Sequence, residues 1–69
     1  MQEFDLDGRD YIELNNLLKV TGLCESGGMA KTQIADGQVK VDEKVELRKR
    51  CKIHSGQLVE FNAEQVRVC

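Results

Sequence analysis

The sequence predicts an α+β fold in which a helix-turn-helix pair packs on a small, mostly antiparallel β-sheet. Three observations carry the prediction. Apolar residues recur at helical spacing from Tyr11 to Leu18, and a second short helical stripe lies between Ser26 and Gly37. After Gly37 the apolar period drops from about 3.6 residues to about 2.

The first helix is expected over about Tyr11 to Val20. Asp10 followed by Glu13 matches a capping box, Tyr11, Leu14, Leu17 and Leu18 share one face, and Gly22 supplies a left-handed residue just past the end. The second is expected over about Gly27 to Asp36. Ser26 is its N-cap, Ala30 and Ile34 flanked by Met29 and Ala35 form its stripe, and Gly37 ends it. The short connector from Thr21 to Glu25 forces the two helices into a compact pair.

Val39, Val41, Val45 and Leu47 alternate with polar residues and read as a hairpin. A three-residue loop from Asp42 to Lys44 pairs Val41 with Val45, Lys40 with Glu46 and Val39 with Leu47. It keeps one face apolar and sets opposite charges across the other, so it is preferred to a two-residue loop at Asp42-Glu43. Ile53 to Gly56 reads as a strand end and turn leading into a strand from Leu58 to Phe61, and Val66 and Val68 alternate again. Phe4 and Leu6 suggest an amino-terminal edge strand. The aromatics Phe4, Tyr11 and Phe61 are too few for a base-stacking platform and are expected in the core.

With 69 residues the chain is expected to form one domain over residues 1–69. A chain of that length buries only about 60% of its unfolded surface, which leaves little room for an enclosed catalytic cavity. The composition is 41% apolar and 32% charged, with no Pro, as in ordinary globular domains. No apolar run approaches the roughly 20 residues that span a bilayer, and the acidic amino terminus lacks signal-peptide character, so a cytoplasmic location is expected. Cys24, Cys51 and Cys69 are widely spaced and accompanied by the single histidine His54. That set offers no tetrahedral metal site, so neither metal nor cofactor is expected. Arg50 and Lys52 would lower the pKa of Cys51 and raise its reactivity, although a small strand residue is the preferred reading. His54 has no nucleophile-and-acid constellation around it and is read as a surface polar residue in a turn. Asp5, Asp7 and Asp10 lack the Gly and distal Glu of a calcium loop, so capping and solvation account for them.

Charge is strongly segregated beneath a formal net charge of -2. Residues 1–18 carry five acids against one base, whereas residues 19–52 carry eight bases against five acids. Four of those bases fall in the run Arg48-Lys49-Arg50-Cys51-Lys52. A partner feels local potential within a Debye length of about 8 to 10 Å, so an acidic total does not exclude a polyanion.

The order of these signals resembles a known family. A helix, Gly22-Leu23, Ser26, Ala30, Ile34, Gly37-Gln38-Val39-Lys40-Val41-Asp42, Val45, Ile53, and Gly56-Gln57 before Val59 and Phe61 resemble the S-four RNA-binding domain, also called the alpha-L motif. The match runs from about Ile12 to Phe61. More narrowly, Glu25-Ser26-Gly27, Ala30-Lys31, the Gly37 to Asp42 run and Arg48 to Ile53 look like the small stand-alone bacterial YbcJ-type members. In the wider family such domains are appended to ribosomal proteins, pseudouridine synthases and tyrosyl-tRNA synthetases, where they bind structured RNA. The resemblance therefore implies a non-enzymatic RNA-binding module. Its partner would be structured RNA of the rRNA or tRNA class, with the ribosome as one context and no membrane or small-molecule substrate. Two departures stand out. Gly27 replaces the arginine that usually follows the serine, and Asp42-Glu43 replaces the usual Asn-Gly turn.

The candidate RNA-binding residues are Arg48, Lys49, Arg50 and Lys52, supported by Lys31, Lys40, Lys44 and the helix start Ser26-Gly27-Gly28. Lys and Arg neutralise phosphates, and each contact makes affinity fall with salt at a log-log slope of about -0.7 for single strands. The helix start presents free N–H groups, and its glycines allow either close approach of a phosphate or close packing of the second helix on the first. Lys40 either joins the anion site or pairs with Glu46. An alternative reading is a protein-interaction module that docks its basic face on an acidic, ribosome-associated partner. A third is an accessory subunit of an RNA-modifying enzyme.

Overall fold

The computed structural model describes residues 1–69. Strand β1 (Gln2–Phe4) is followed by β2 (Ile12–Glu13), α1 (Leu14–Val20), α2 (Gly27–Ala35), β3 (Val39–Val41) and β4 (Lys44–Val45). Strands β5 (Lys52–Ile53), β6 (Leu58–Phe61) and β7 (Glu64–Val68) complete the chain. A five-stranded sheet has the order β1-β7-β6-β3-β4, antiparallel throughout except for the parallel β1/β7 pair, and β2 and β5 form a separate antiparallel pair. The α+β architecture of a helix pair with a mostly antiparallel sheet is thus present.

Alternation along the strands decides what is buried. Val39 and Val41 of β3, Val59 of β6, and Val66 and Val68 of β7 face inward, with Val59 opposite both Val41 and Val66. Onto them pack Leu14, Leu17 and Leu18 of α1, Ala30 and Ile34 of α2, and Ile12, Ile53, Leu6 and Cys24. Burying a side chain of this size stabilises by about 1.5–3 kcal/mol. The stripe on α2 is narrower than expected, because Met29 and Ala35 lie on its exposed side. Neither helix is long and apolar enough to cross a membrane.

The second helix begins and ends as its residues dictate. Ser26 Oγ accepts a hydrogen bond of 3.1 Å from the Met29 amide, and Gly37 follows the end with φ of 78°. Gly22, at φ 81°, plays the same part after α1.

The start of α1 differs from expectation. Tyr11 to Glu13 are not helical, and Glu13 makes no side-chain cap. Ile12 is instead drawn into β2, opposite Ile53, where both are buried, and Glu13 lies across from Lys52. The first amides of α1 find backbone acceptors far along the chain: Leu14 N–H donates to Cys51 O at 2.9 Å and Asn15 N–H to Lys49 O at 3.1 Å. Tertiary carbonyls replace the local capping box, because pairing Ile12 with Ile53 buries two large apolar side chains.

The β3–β4 hairpin also takes the other register. Val41 pairs with Lys44 and Lys40 with Val45, which leaves a two-residue turn at Asp42-Glu43 with φ of 51° and 71°. Two non-glycine residues at positive φ are strained. Asp42 offsets this strain: its N–H donates to Leu58 O at 2.8 Å, and its carboxylate accepts from Leu58 N–H at 3.0 Å and from Gln57 Nε2 at 3.1 Å. The three-residue loop would have kept Val45 and Leu47 on a buried face. No such face exists at this sheet edge, where Val45 is 52% and Leu47 60% exposed. Lys40 accordingly lies opposite Val45 and Glu60, not Glu46.

Candidate nucleic-acid interface

The basic run occupies the loop between β4 and β5, and its shape follows from one ion pair and two backbone anchors. Arg48 folds back on Glu46: its backbone N–H donates to Oε2 at 3.0 Å, Nε to Oε2 at 2.9 Å and Nη2 to Oε1 at 3.1 Å. It is the one ion pair within 4.0 Å in the molecule, with the arginine side chain 77% exposed and the carboxylate 17%. Hydrogen bonds from Arg48 hold the Glu46 carboxyl down to about 2. At the other end, the Lys49 and Cys51 carbonyls fasten the loop to the start of α1. The loop is thereby tied to the first helix.

Two adjoining hollows lie on this loop. One, of about 610 Å³, brings Lys44, Arg48 and Lys52 together with Val45, His54 and Gln57. The other, of about 430 Å³, is lined by Arg48, Arg50, Cys51 and Lys52. Because Arg48, Cys51 and Lys52 belong to both, they form one groove edged by four cations. Three of these, Lys44, Arg50 and Lys52, have no ion-pair partner. Lys49 is exposed beside the groove and does not line it.

The remaining candidates lie outside the groove. Lys40 lines a separate hollow of about 270 Å³ with Glu60 and Asn62. Lys31 sits half-buried on α2. Ser26, Gly27 and Gly28 form the start of α2 and line neither hollow of the groove. The structure does not support close packing as the reason for these glycines. A Cβ on Gly27 meets nothing within 4 Å, and one on Gly28 meets only Ser26 Oγ at 3.8 Å. The helix start is open to an approaching group.

Two features escaped the sequence reading. Tyr11 is not a core residue: it is 38% exposed, with Lys52 Nζ 5.0 Å from its ring centroid and the His54 ring 6.1 Å away. Phe4 and Phe61, by contrast, are half-buried against the core, as expected. The second feature is Gln57, which bridges the groove wall by accepting from His54 N–H at 2.7 Å and donating to Asp42. Through it the Asp42 carboxylate becomes a structural tie, held below the usual carboxylate range by Leu58 N–H and then Gln57. The Ile12–Ile53 register sets Tyr11 beside His54, a pairing that no local sequence signal announces.

Cys51 is not activated. Burial and the nearby Glu46 push its thiol up, and the opposing pull of Arg48 does not reverse this. No group of three or more His, Cys, Asp or Glu side chains is placed to hold a metal ion.

Comparison with known proteins places these features in context. The family model for the S4 domain matches residues 4–69. The chain is 53% identical over 68 residues to the Escherichia coli (strain K12) protein named "Putative RNA-binding protein YbcJ", covering 99% of this chain and 97% of that one. A Shigella flexneri protein YbcJ matches with the same identity and coverage. The solution structure of YbcJ from E. coli, described as revealing an alpha-L motif involved in RNA binding, superposes with a TM-score of 0.76 over 99% of this chain and 86% of that one.

Proposed function

The chain belongs to the S4 domain family, and we propose that it is a non-enzymatic, cytoplasmic RNA-binding protein acting as a single domain over residues 1–69. One observation carries the reading: four cations, three of them in no ion pair, edge one groove beside an anchored loop, where they outnumber the two carboxylates of its lining, Asp42 and Glu46. Anchoring matters because a pre-set cluster does not have to be ordered when phosphates bind. Lys44, Arg48, Arg50 and Lys52 contact phosphates of a structured RNA of the rRNA or tRNA class, and Lys49 adds to the field beside them. Lys31, Lys40 and the open helix start at Ser26, Gly27 and Gly28 give further contacts on a longer RNA. The description of YbcJ as RNA-binding supports the same reading.

Filter binding of a structured RNA at several salt concentrations tests this. If about four cations engage, the log-log slope is near -3. Changing Lys44, Arg50 and Lys52 together to Ala should remove most of that slope. Salt-independent binding, or a triple variant that binds like the parent, would reject the proposal.

A second reading has its own support. Strand β4 is a free sheet edge with Val45 and Leu47 exposed beside the basic loop, a surface on which an acidic extended peptide could pair. A pull-down repeated after RNase treatment separates the two, since a direct protein partner survives digestion.

A further inference from the structure

A hollow of about 510 Å³ that the phosphate reading leaves unused is lined by Tyr11, the ring over which Lys52 of the basic groove lies. Its lining includes Arg9, Asp10, Tyr11, Glu13 and Asn16. It has two acids to one base, so it is no place for a phosphate. What it offers is an aromatic side chain and a mixed set of hydrogen-bonding groups. The Asp10 and Glu13 carboxylates have no ion-pair partner. Arg9 is pre-set, with Nε donating to Leu6 O at 2.9 Å and its guanidinium 5.7 Å from the Phe4 ring centroid. Its remaining N–H groups and the Asn16 amide are donors.

We infer that this hollow is a reading site for one unstacked guanine base, whose ring lies against Tyr11 while its flanking phosphate rests on Lys52. The inference builds on the RNA-binding reading above. Bases splayed out of RNA loops are commonly held by stacking on an aromatic side chain and by hydrogen bonds to their edges. Guanine suits this lining better than the other bases. Its N1–H and N2–H₂ donate side by side, matching a carboxylate that can only accept, and its O6 accepts from an arginine or amide donor. Adenine and cytosine each place a ring acceptor beside their amino group and would meet the carboxylates with a lone pair. Position supports the assignment too: Lys52 Nζ is 5.0 Å from the Tyr11 ring centroid, so the phosphate-binding cation and the stacking ring are immediate neighbours.

The test uses a set of stem-loop RNAs identical except for one loop base, either guanine, inosine, adenine, cytosine or uracil, with affinities read by fluorescence anisotropy at fixed salt. The guanine loop should bind about tenfold tighter than the adenine loop. Inosine, which lacks the 2-amino group, should fall between them. Tyr11→Leu should weaken the guanine loop about tenfold, the scale of one lost base stack, and erase the preference. Tyr11→Phe should retain both, and Glu13→Gln should narrow the preference while leaving the salt slope unchanged. Equal binding of all five loops with a normal salt slope would overturn the guanine site and leave the phosphate groove standing. Absence of salt-sensitive binding to any loop would overturn both.

Discussion

Arg48 holds Glu46 with two arms of its guanidinium, Nε at 2.9 Å from one carboxylate oxygen and Nη2 at 3.1 Å from the other. Of the two cations that line both hollows of the groove, Arg48 and Lys52, Arg48 is therefore the one whose charge is partly neutralised by the protein itself. Bidentate pairs of this kind orient an arginine strongly, and they compete with any phosphate that would use the same donors.

Glu46→Gln should accordingly strengthen RNA binding. With the carboxylate gone, Arg48 is free to contact a phosphate, so affinity should rise severalfold and the salt slope should steepen by about 0.7. Arg48→Ala should cost less than Lys52→Ala, because Lys52 has no carboxylate to leave. Filter binding across a salt series measures all three. Weaker binding by the Glu46 variant would mean that the pair serves the interface by holding the loop in shape.

Acid should destabilise the fold through the same loop. Glu46 is lowered from its ordinary 4.5 to about 2, chiefly by Arg48, and Asp42 is lowered by Leu58 and Gln57. A carboxyl with a depressed folded pKa binds protons more tightly in the unfolded chain. Its contribution is complete above the unfolded pKa and is lost as pH falls through the folded one. The Glu46 share of the loss should thus fall between pH 4.5 and about 2. Thermal melts followed by circular dichroism over that range should show a shallower decline for Glu46→Gln than for the parent. Parallel curves would rule out the linkage.

Gly27 offers a gain-of-function test. Open space around its Cβ position means that Gly27→Arg should fold normally and add a cation at the helix start. If RNA runs past the start of α2, affinity should rise severalfold and the salt slope should steepen by about 0.7. Gly27→Ala is the control. It should stabilise the helix by at most about 1 kcal/mol and bring no gain in RNA affinity. An arginine variant that matches the alanine variant in binding would place the helix start off the RNA path.

The signals that could be read along the chain were those in which a residue acts on its near neighbours. Ser26 caps α2 because its Oγ reaches an amide three residues ahead. Gly22 and Gly37 end helices because φ near 80° is cheap only for glycine. The alternation of Val39 and Val41, and of Val66 and Val68, places them in the core wherever the sheet lies. The clustering of Arg48, Lys49, Arg50 and Lys52 is likewise a local fact.

What the tertiary structure alone decided was which distant groups met. The start of α1 moved from Tyr11 to Leu14 because Ile12 found Ile53, and its amides found carbonyls of the basic loop. The hairpin took its tighter turn because Asp42 found Leu58 and Gln57, contacts that a turn considered alone does not contain. The same distant pairings separated the cations that edge the groove from those that do not, tied Arg48 to Glu46, and left Tyr11 exposed next to Lys52. Sequence determined the elements and their charges, since propensity and periodicity act within a turn of helix or a few strand residues. The site belongs to the fold, because burial and hydrogen-bond satisfaction are settled only when segments some 40 residues apart are brought together, as Ile12 and Ile53 are.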